Sequence, residues 1–280
     1  MEKWQEIYSA EDIKKIQELE LKNLKELIRV TEKLGIEFFL YGGSLIGAVR
    51  HNGFVPWDDD LDVAMMRDDY NKFVKEADKY LSDEFYLQTP YSDKKSPYFY
   101  SKLRLKGTRC IEYAHHKLKI ESGVYVDIYP IDSLPKSDEE YMLRYNDFQK
   151  AVRSFVIRQC PYPEASVKTT KKKVRALAKR CVSLIYKLVP HKKYVAKMDE
   201  ILTSYNGAET TKYGNYSYPK PVNYFNAVYP FEKRSFCGIE VNIPADWDGH
   251  LKRRYGNYME LPPEEKRVGH IPYNLDFGNY

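Results

Sequence analysis

The sequence predicts a mixed α/β (α+β) protein. Segments with the 3.6-residue apolar period of helices alternate with short apolar runs suited to buried strands. Of the 280 residues, 43% are hydrophobic and 30% charged, a globular composition long enough to enclose a substantial core. No uninterrupted apolar stretch reaches the roughly 18 residues that a membrane-spanning helix requires.

Taken in order, Ser9-Ala10-Glu11-Asp12 reads as a capping box, and Ile13, Ile16, Leu24, Leu27 and Ile28 recur at helical spacing up to a stop at Gly35. Residues 36–41 (IEFFLY) form a nearly all-apolar run, which suits a strand buried on both faces. Gly42-Gly43-Ser44 interrupts it, a short helix is expected over 45–50, and 61–65 reads as the next strand. A helix with an acidic cap is predicted over 68–81, then strands over 98–106 and 123–128. Helices follow over 137–158, 171–189 and 194–205. The Tyr-, Asn- and Pro-rich residues 206–230 suit an ordered loop. A hairpin centred on Cys237-Gly238 and a helix over 246–255 complete the chain.

The N-terminus lacks the apolar segment of a secretory signal, and the four Cys are scattered without a C-x-x-C pair. Reduced thiols and a cytoplasmic location are the expectation. Net charge is +5, yet ten Lys/Arg and no Asp/Glu fall between Ser166 and Lys193, leaving 35 basic against 40 acidic residues elsewhere. A nucleic-acid binder spreads basic charge over a groove-facing surface, so nucleic acid is not an expected partner.

The densest chemical signal is Tyr41-Gly-Gly-Ser-Leu-Ile-Gly-Ala-Val-Arg50 followed by Pro56-Trp-Asp-Asp-Asp-Leu-Asp-Val63. On a strand, Asp60 and Asp62 project to one side roughly 7 Å apart, a repulsive pair unless a cation lies between them. Hard oxygen ligands of this kind suit Mg²⁺ or Mn²⁺ bridged to phosphates. Asp127, flanked by Val126 and Ile128, is costly to bury unless paired or metal-bound. Gly42, Gly43 and Ser44 at a helix start could bring N–H groups and a hydroxyl to an anion. Arg50, Lys102 and Arg104 are candidate phosphate partners. A solvated acidic turn and the D-x-D of a glycosyltransferase fit the same residues. A calcium loop does not, because Val63 and Asp69 stand where that loop has Gly and Glu.

The run from Tyr41 to Val63 resembles the signature of the LicD family, phosphotransferases that move phosphocholine from CDP-choline onto surface glycans. Their eukaryotic relatives are the fukutin-type ribitol-phosphate transferases. The resemblance continues through Tyr98 to Arg104, Val126-Asp127-Ile128 and Leu261 to His270. It implies a nucleotidyltransferase-like mixed sheet with flanking helices and a helical insertion. Residues 1–135 would form the catalytic core, 136–230 a helical, Tyr-rich region and 231–280 its completion. Asp60, Asp62 and Asp127 would be catalytic metal ligands, joined by Asp58. Gly42, Gly43, Ser44, Arg50, Lys102, Arg104 and Arg267 would bind substrate. The implied reaction is Mg²⁺- or Mn²⁺-dependent transfer from CDP-choline to a lipid-linked glycan acceptor of teichoic-acid, capsular or lipopolysaccharide type, with release of CMP. A nucleotidyltransferase, a glycosyltransferase or transfer of CDP-linked ribitol or glycerol phosphate are the alternatives.

Two features stand outside that core. Val174, Leu177, Ala178, Cys181, Leu184, Ile185 and Leu188 share one helical stripe within the basic segment. Packing of the stripe on the core, docking of a partner, or an anionic membrane surface at residues 171–189, peripheral to the inner face of the plasma membrane, would each account for it. Core packing and loop ordering account for most of the 26 tyrosines; an aromatic cage for a quaternary ammonium is the alternative, with Tyr98-Phe99-Tyr100 and Tyr213, Tyr216, Tyr218 and Tyr224 as candidate clusters.

Overall fold

The computed structural model describes residues 8–112, 115–161, 170–267, 269–270 and 272–280. Helix α1 (Ala10–Leu34) begins as the capping box requires: the Ser9 hydroxyl accepts from the Asp12 N–H, and the Asp12 carboxylate accepts from the Ser9 N–H. It ends at Gly35, left-handed at φ 61°. Its Ile16, Leu24, Leu27 and Val30 are fully buried.

Strand β1 (Phe39–Leu40) is shorter than the apolar run suggested, because Tyr41 already caps helix α2 (Gly42–His51). The two glycines thus form the first turn of that helix. Strand β2 (Asp62–Met66) leads into α3 (Arg67–Glu76) and a 3₁₀ turn at Ala77–Lys79. The expected acidic cap is absent: Met66 holds that position without a side-chain bond, and Asp68 and Asp69 sit in the first turn, favourable to the helix dipole.

Four strands follow: β3 (Phe85–Gln88), β4 (Ser101–Leu105), β5 (Arg109–Glu112) and β6 (Tyr125–Ser133). Next come helices α4 (Asp138–Gln159, with Ser137 as its cap), α5 (Thr170–Lys187) and α6 (His191–Leu202). The stretch predicted as a loop carries β7 (Tyr213–Gly214) and β8 (Tyr224–Phe225). The hairpin is β9 (Glu232–Phe236) and β10 (Ile239–Ile243), turning through Cys237 and Gly238 at φ 51° and 80° as a two-residue turn demands. Helix α7 (Trp247–Tyr255) and β11 (Pro272–Asp276) complete the order.

The main sheet runs β1-β2-β6-β4-β3 and is extended beyond β6 by β7 and β8. β2 and β6 are parallel, and its other pairs are antiparallel. The fold is therefore a mixed α+β arrangement. One apolar cluster joins α1, α2 and α3 to the sheet and the hairpin. A second, built on Tyr141, Phe148, Phe155, Met198 and Tyr216, holds α4 and α6. Arg67 links the two regions, donating from Nε to Asp132 Oδ1 at 2.8 Å and lying 3.5 Å from Asp199 of α6. Among the described residues, no helix is long and apolar enough to cross a membrane.

Candidate active site

The register of the sheet builds the site. Asp62 on β2 pairs with Asp127 on β6, and Asp127 pairs with Lys102 on β4. Directly paired residues share a face, so two carboxylates and an ammonium form a row across three adjacent central strands. Asp127 and Lys102 are almost fully buried, with Lys102 Nζ 2.6 Å from Asp127 Oδ1. Asp60 lies just before β2, and between the two aspartates the Leu61 carbonyl accepts from the Asp127 N–H at 2.9 Å.

The glycines are where carboxylates need room. A Cβ on Gly42, whose φ is +57°, would lie 2.3 Å from Asp62 Oδ2, and one on Gly43 would lie 2.6 Å from Asp58 Oδ2. Both carboxylates therefore rest on the first turn of α2, where the amide dipoles favour negative charge. The Ser44 hydroxyl accepts from the Asp62 N–H at 2.8 Å, tying helix to strand. Expected at the sequence level to reach a substrate anion, these three residues here touch the chain's own acidic groups.

The acidic set is short of compensating charge. Burial, reinforced by neighbouring aspartates, raises Asp58 to about 8 and holds Asp62 well above the usual carboxylate range. Burial also raises Asp60 and Asp127, against the opposing pull of His270 on the first and Lys102 on the second. Asp62 Oδ1 is buried with no hydrogen-bond partner. An orphaned carboxylate oxygen among raised, repelling acids is what a divalent cation would relieve, so the hard oxygen donors fit one.

Among the described residues, the group whose ligand atoms all lie within 4.8 Å of one another is Asp59, Asp60 and His270. Asp60, Asp62 and Asp127 are not drawn that close. His270 donates its backbone N–H to Asp59 Oδ1 at 3.0 Å, and its Nδ1 is 3.2 Å from the same oxygen. The bond to Asp59 raises His270 to about 10, so at neutral pH it is a cation clamped on Asp59.

The other sequence candidates divide. Arg104 is buried, with Nε donating to Gln88 and Nη1 to the Gly123 carbonyl, so its donors serve the sheet. Arg50 donates to the Tyr258 and Glu260 carbonyls at the rim of a cavity of about 500 Å³ that also includes Gly43, Trp57, Asp58 and Tyr255. The Arg267 guanidinium stacks 5.2 Å from the Trp57 ring of that cavity. The aromatic clusters already face cations of the chain: Lys102 Nζ lies 4.4, 5.3 and 3.5 Å from the Tyr98, Tyr100 and Tyr125 ring centroids. Tyr224 faces Arg253 and Lys212, Tyr218 faces Arg254, and Tyr216 is buried in the helical cluster.

Four further residues join the site. Glu20 of α1 is buried with Oε2 unpartnered, its carboxyl held far above its ordinary value by burial and by Asp60, Asp59 and Asp58. Its place on the apolar face of α1, four residues after Ile16, was a readable signal. Arg254, at the end of α7, bonds Asn223 Oδ1 at 2.6 Å and brings a positive charge toward Asp62. The clamp between His270 and Asp59 joins residues 211 apart and leaves no local trace.

A lipopolysaccharide cholinephosphotransferase LicD of Haemophilus influenzae is 27% identical over 248 residues, covering 85% of this chain and 88% of that one. The ribitol 5-phosphate transferases FKRP of Mus musculus and Homo sapiens are each 42% identical over 53 residues, 18% of this chain and 11% of theirs. A family described as LicD/FKTN/FKRP, nucleotidyltransferase domain, matches residues 35–176, just over half the sequence, and the chain belongs to that family.

Proposed function

We propose that the protein transfers phosphocholine from CDP-choline to a hydroxyl of a lipid-linked cell-surface glycan precursor, of teichoic-acid, capsular or lipopolysaccharide type. CMP is released, and Mg²⁺ or Mn²⁺ is required. The observation that carries this reading is the similarity along 85% of the chain to a cholinephosphotransferase, in a molecule whose Asp62 and Asp127 pair across two adjacent central strands, with Asp60 just before the first of them.

In this reading Asp60 and Asp62 hold the cation, with Asp58 beside them. When bound, the divalent cation neutralises the diphosphate and the leaving CMP. Asp127 accepts the proton of the acceptor hydroxyl as its oxygen bonds to the choline-bearing phosphorus and the phosphorus–oxygen bond to CMP breaks. Its raised basicity suits that role, and Lys102 keeps the carboxylate oriented. The donor occupies the cavity bounded by Trp57, Asp58 and Tyr255, where Arg50 and Arg267 supply positive charge at the rim.

Release of CMP from CDP-choline, measured with glycan precursor and Mg²⁺ and again with EDTA, tests the proposal. Metal-dependent CMP with choline appearing on the glycan is the expected result. Release only from CDP-ribitol or CDP-glycerol would keep the chemistry and replace the head group. No release from any CDP donor would overturn the reading in favour of nucleotidyl or glycosyl transfer.

A further inference from the structure

Helix α5 does not pack on the molecule through its apolar stripe. Among its described side chains only Ser183 is buried, its hydroxyl donating to the Arg158 carbonyl at 3.3 Å. Val174, Leu177, Leu184 and Ile185 are each more than 60% exposed, and Leu188, just past the helix, is 82% exposed. Their spacing of three, four and seven residues puts them on one side of the helix, away from Ser183. Five large aliphatic side chains aligned in solvent form the kind of patch that marks a docking surface.

The charge around the stripe identifies what covers it. Arg175 and Lys179 lie on the helix, exposed, and so do Lys187 at its end and Lys192 and Lys193 beyond it. No Asp or Glu occurs between Glu164 and Asp199. The side chains of Lys171, Lys172 and Lys173 lie outside the described residues. Val189 and Lys193 continue into a groove of about 520 Å³ between α4 and α6, where Arg144, Lys150 and Lys197 add further cations and Asp147 the one carboxylate. Stacking two copies through this face would bring two predominantly basic flanks together, which disfavours self-association. An apolar stripe bordered by long cationic side chains matches a bilayer instead: aliphatic groups enter the acyl boundary while Lys and Arg reach anionic head groups.

We propose that α5 is an interfacial membrane anchor. It lies in the plane of an anionic lipid surface, with the basic groove beside it facing the lipid phosphates. The inference goes beyond the transfer reaction and does not depend on it, since no residue of α5 lies at the carboxylate row.

Co-sedimentation of the full chain with vesicles tests it, using phosphatidylglycerol mixed with phosphatidylcholine against phosphatidylcholine alone. The expected result is pelleting with the anionic vesicles at low salt, weakening as salt is raised, and little with the neutral ones. Arg175→Gln with Lys187→Gln should weaken binding by roughly thirtyfold. Leu177→Ser with Leu184→Ser should weaken it by at least about tenfold. Both double variants should melt like the parent, because these side chains are solvent-exposed, and both should release CMP from CDP-choline at the parent rate with a soluble acceptor. Equal binding to neutral vesicles, binding insensitive to the four substitutions, or no binding to pure lipid would overturn the proposal. So would a concentration-dependent dimer that Leu184→Ser dissolves, which would assign the stripe to a second copy. Loss of CMP release with vesicle binding intact would instead count against the transferase reading alone.

Discussion

Asp62 bears three demands at once. Its N–H is fixed by Ser44, its Oδ2 needs the bare Cα of Gly42, and its Oδ1 is buried without a partner. On the proposed function this unfavourable state serves cation binding, and stability without the cation should improve when the charge is removed. Asp62→Asn should lower turnover at least about 10³-fold while raising the metal-free melting temperature by about 2–4 °C, the shift expected for roughly 1 kcal/mol in a chain of this size. Calorimetry in EDTA beside an activity assay checks both; a variant that is less stable and still active would contradict the role. Gly42 and Gly35 make a second comparison, because both are left-handed, at φ +57° and +61°, but only Gly42 has a carboxylate where a Cβ would go. Gly35→Ala should cost about 1–2 kcal/mol of stability and leave activity intact. Gly42→Ala should pay a similar backbone cost and also displace Asp62, losing activity and the stabilisation that added Mn²⁺ gives the parent.

At the scale of elements, the site depends on how α2 is attached to β2. The Ser44 hydroxyl and the Tyr41 N–H, which donates to the Asp62 carbonyl at 3.0 Å, fix the helix start against the strand carrying the acidic residues. Ser44→Ala leaves the Asp62 N–H without its acceptor in a buried place, so it should cost about 1–3 kcal/mol. Denaturant unfolding measures that loss, and titration with Mn²⁺ should show weaker binding as β2 shifts. Much of this assembly was legible in the sequence: the capping box gave α1 its start, and Asp60-Leu61-Asp62 with Val126-Asp127-Ile128 marked the acidic strands. The missing parts are non-local. β5 and β11 pair across more than 150 residues and neither carries an apolar run, while β7 and β8 are two residues each, too short for a periodic signal. Lys102 stood out as a phosphate partner, but only the β4–β6 register shows it against Asp127, beside Tyr98 and Tyr100 of one suggested choline cage.

For the whole molecule, the acidic cluster couples folding to pH and, on the proposed function, to metal. Asp58 has its carboxyl raised to about 8 in the fold, against an ordinary value of 3.8. Its contribution to stability is therefore complete below about pH 4, declines as the unfolded chain ionises first, and is lost once pH passes about 8. Asp60, Asp62 and Asp127 shift in the same direction and add to the decline. His270, raised from 6.5 to about 10 by Asp59, also stabilises less as pH rises, across the window from 6.5 to 10. The metal-free protein should accordingly melt at progressively lower temperature from pH 6 to 8.5, by about 2–4 °C for each kcal/mol released. Asp58→Asn removes that residue's share of the decline between about pH 4 and 8, and leaves the shares of the other aspartates and of His270, the last running from 6.5 to about 10. Mn²⁺ should cancel the carboxylate part by binding the ionised form, and it should bind more weakly at pH 6, where protons compete for the same oxygens. Melting curves across this range, with Mn²⁺ and with EDTA, read all of these at once. A flat pH profile in EDTA would mean the carboxylates are already compensated within the fold, and the case for a resident cation would fall with it.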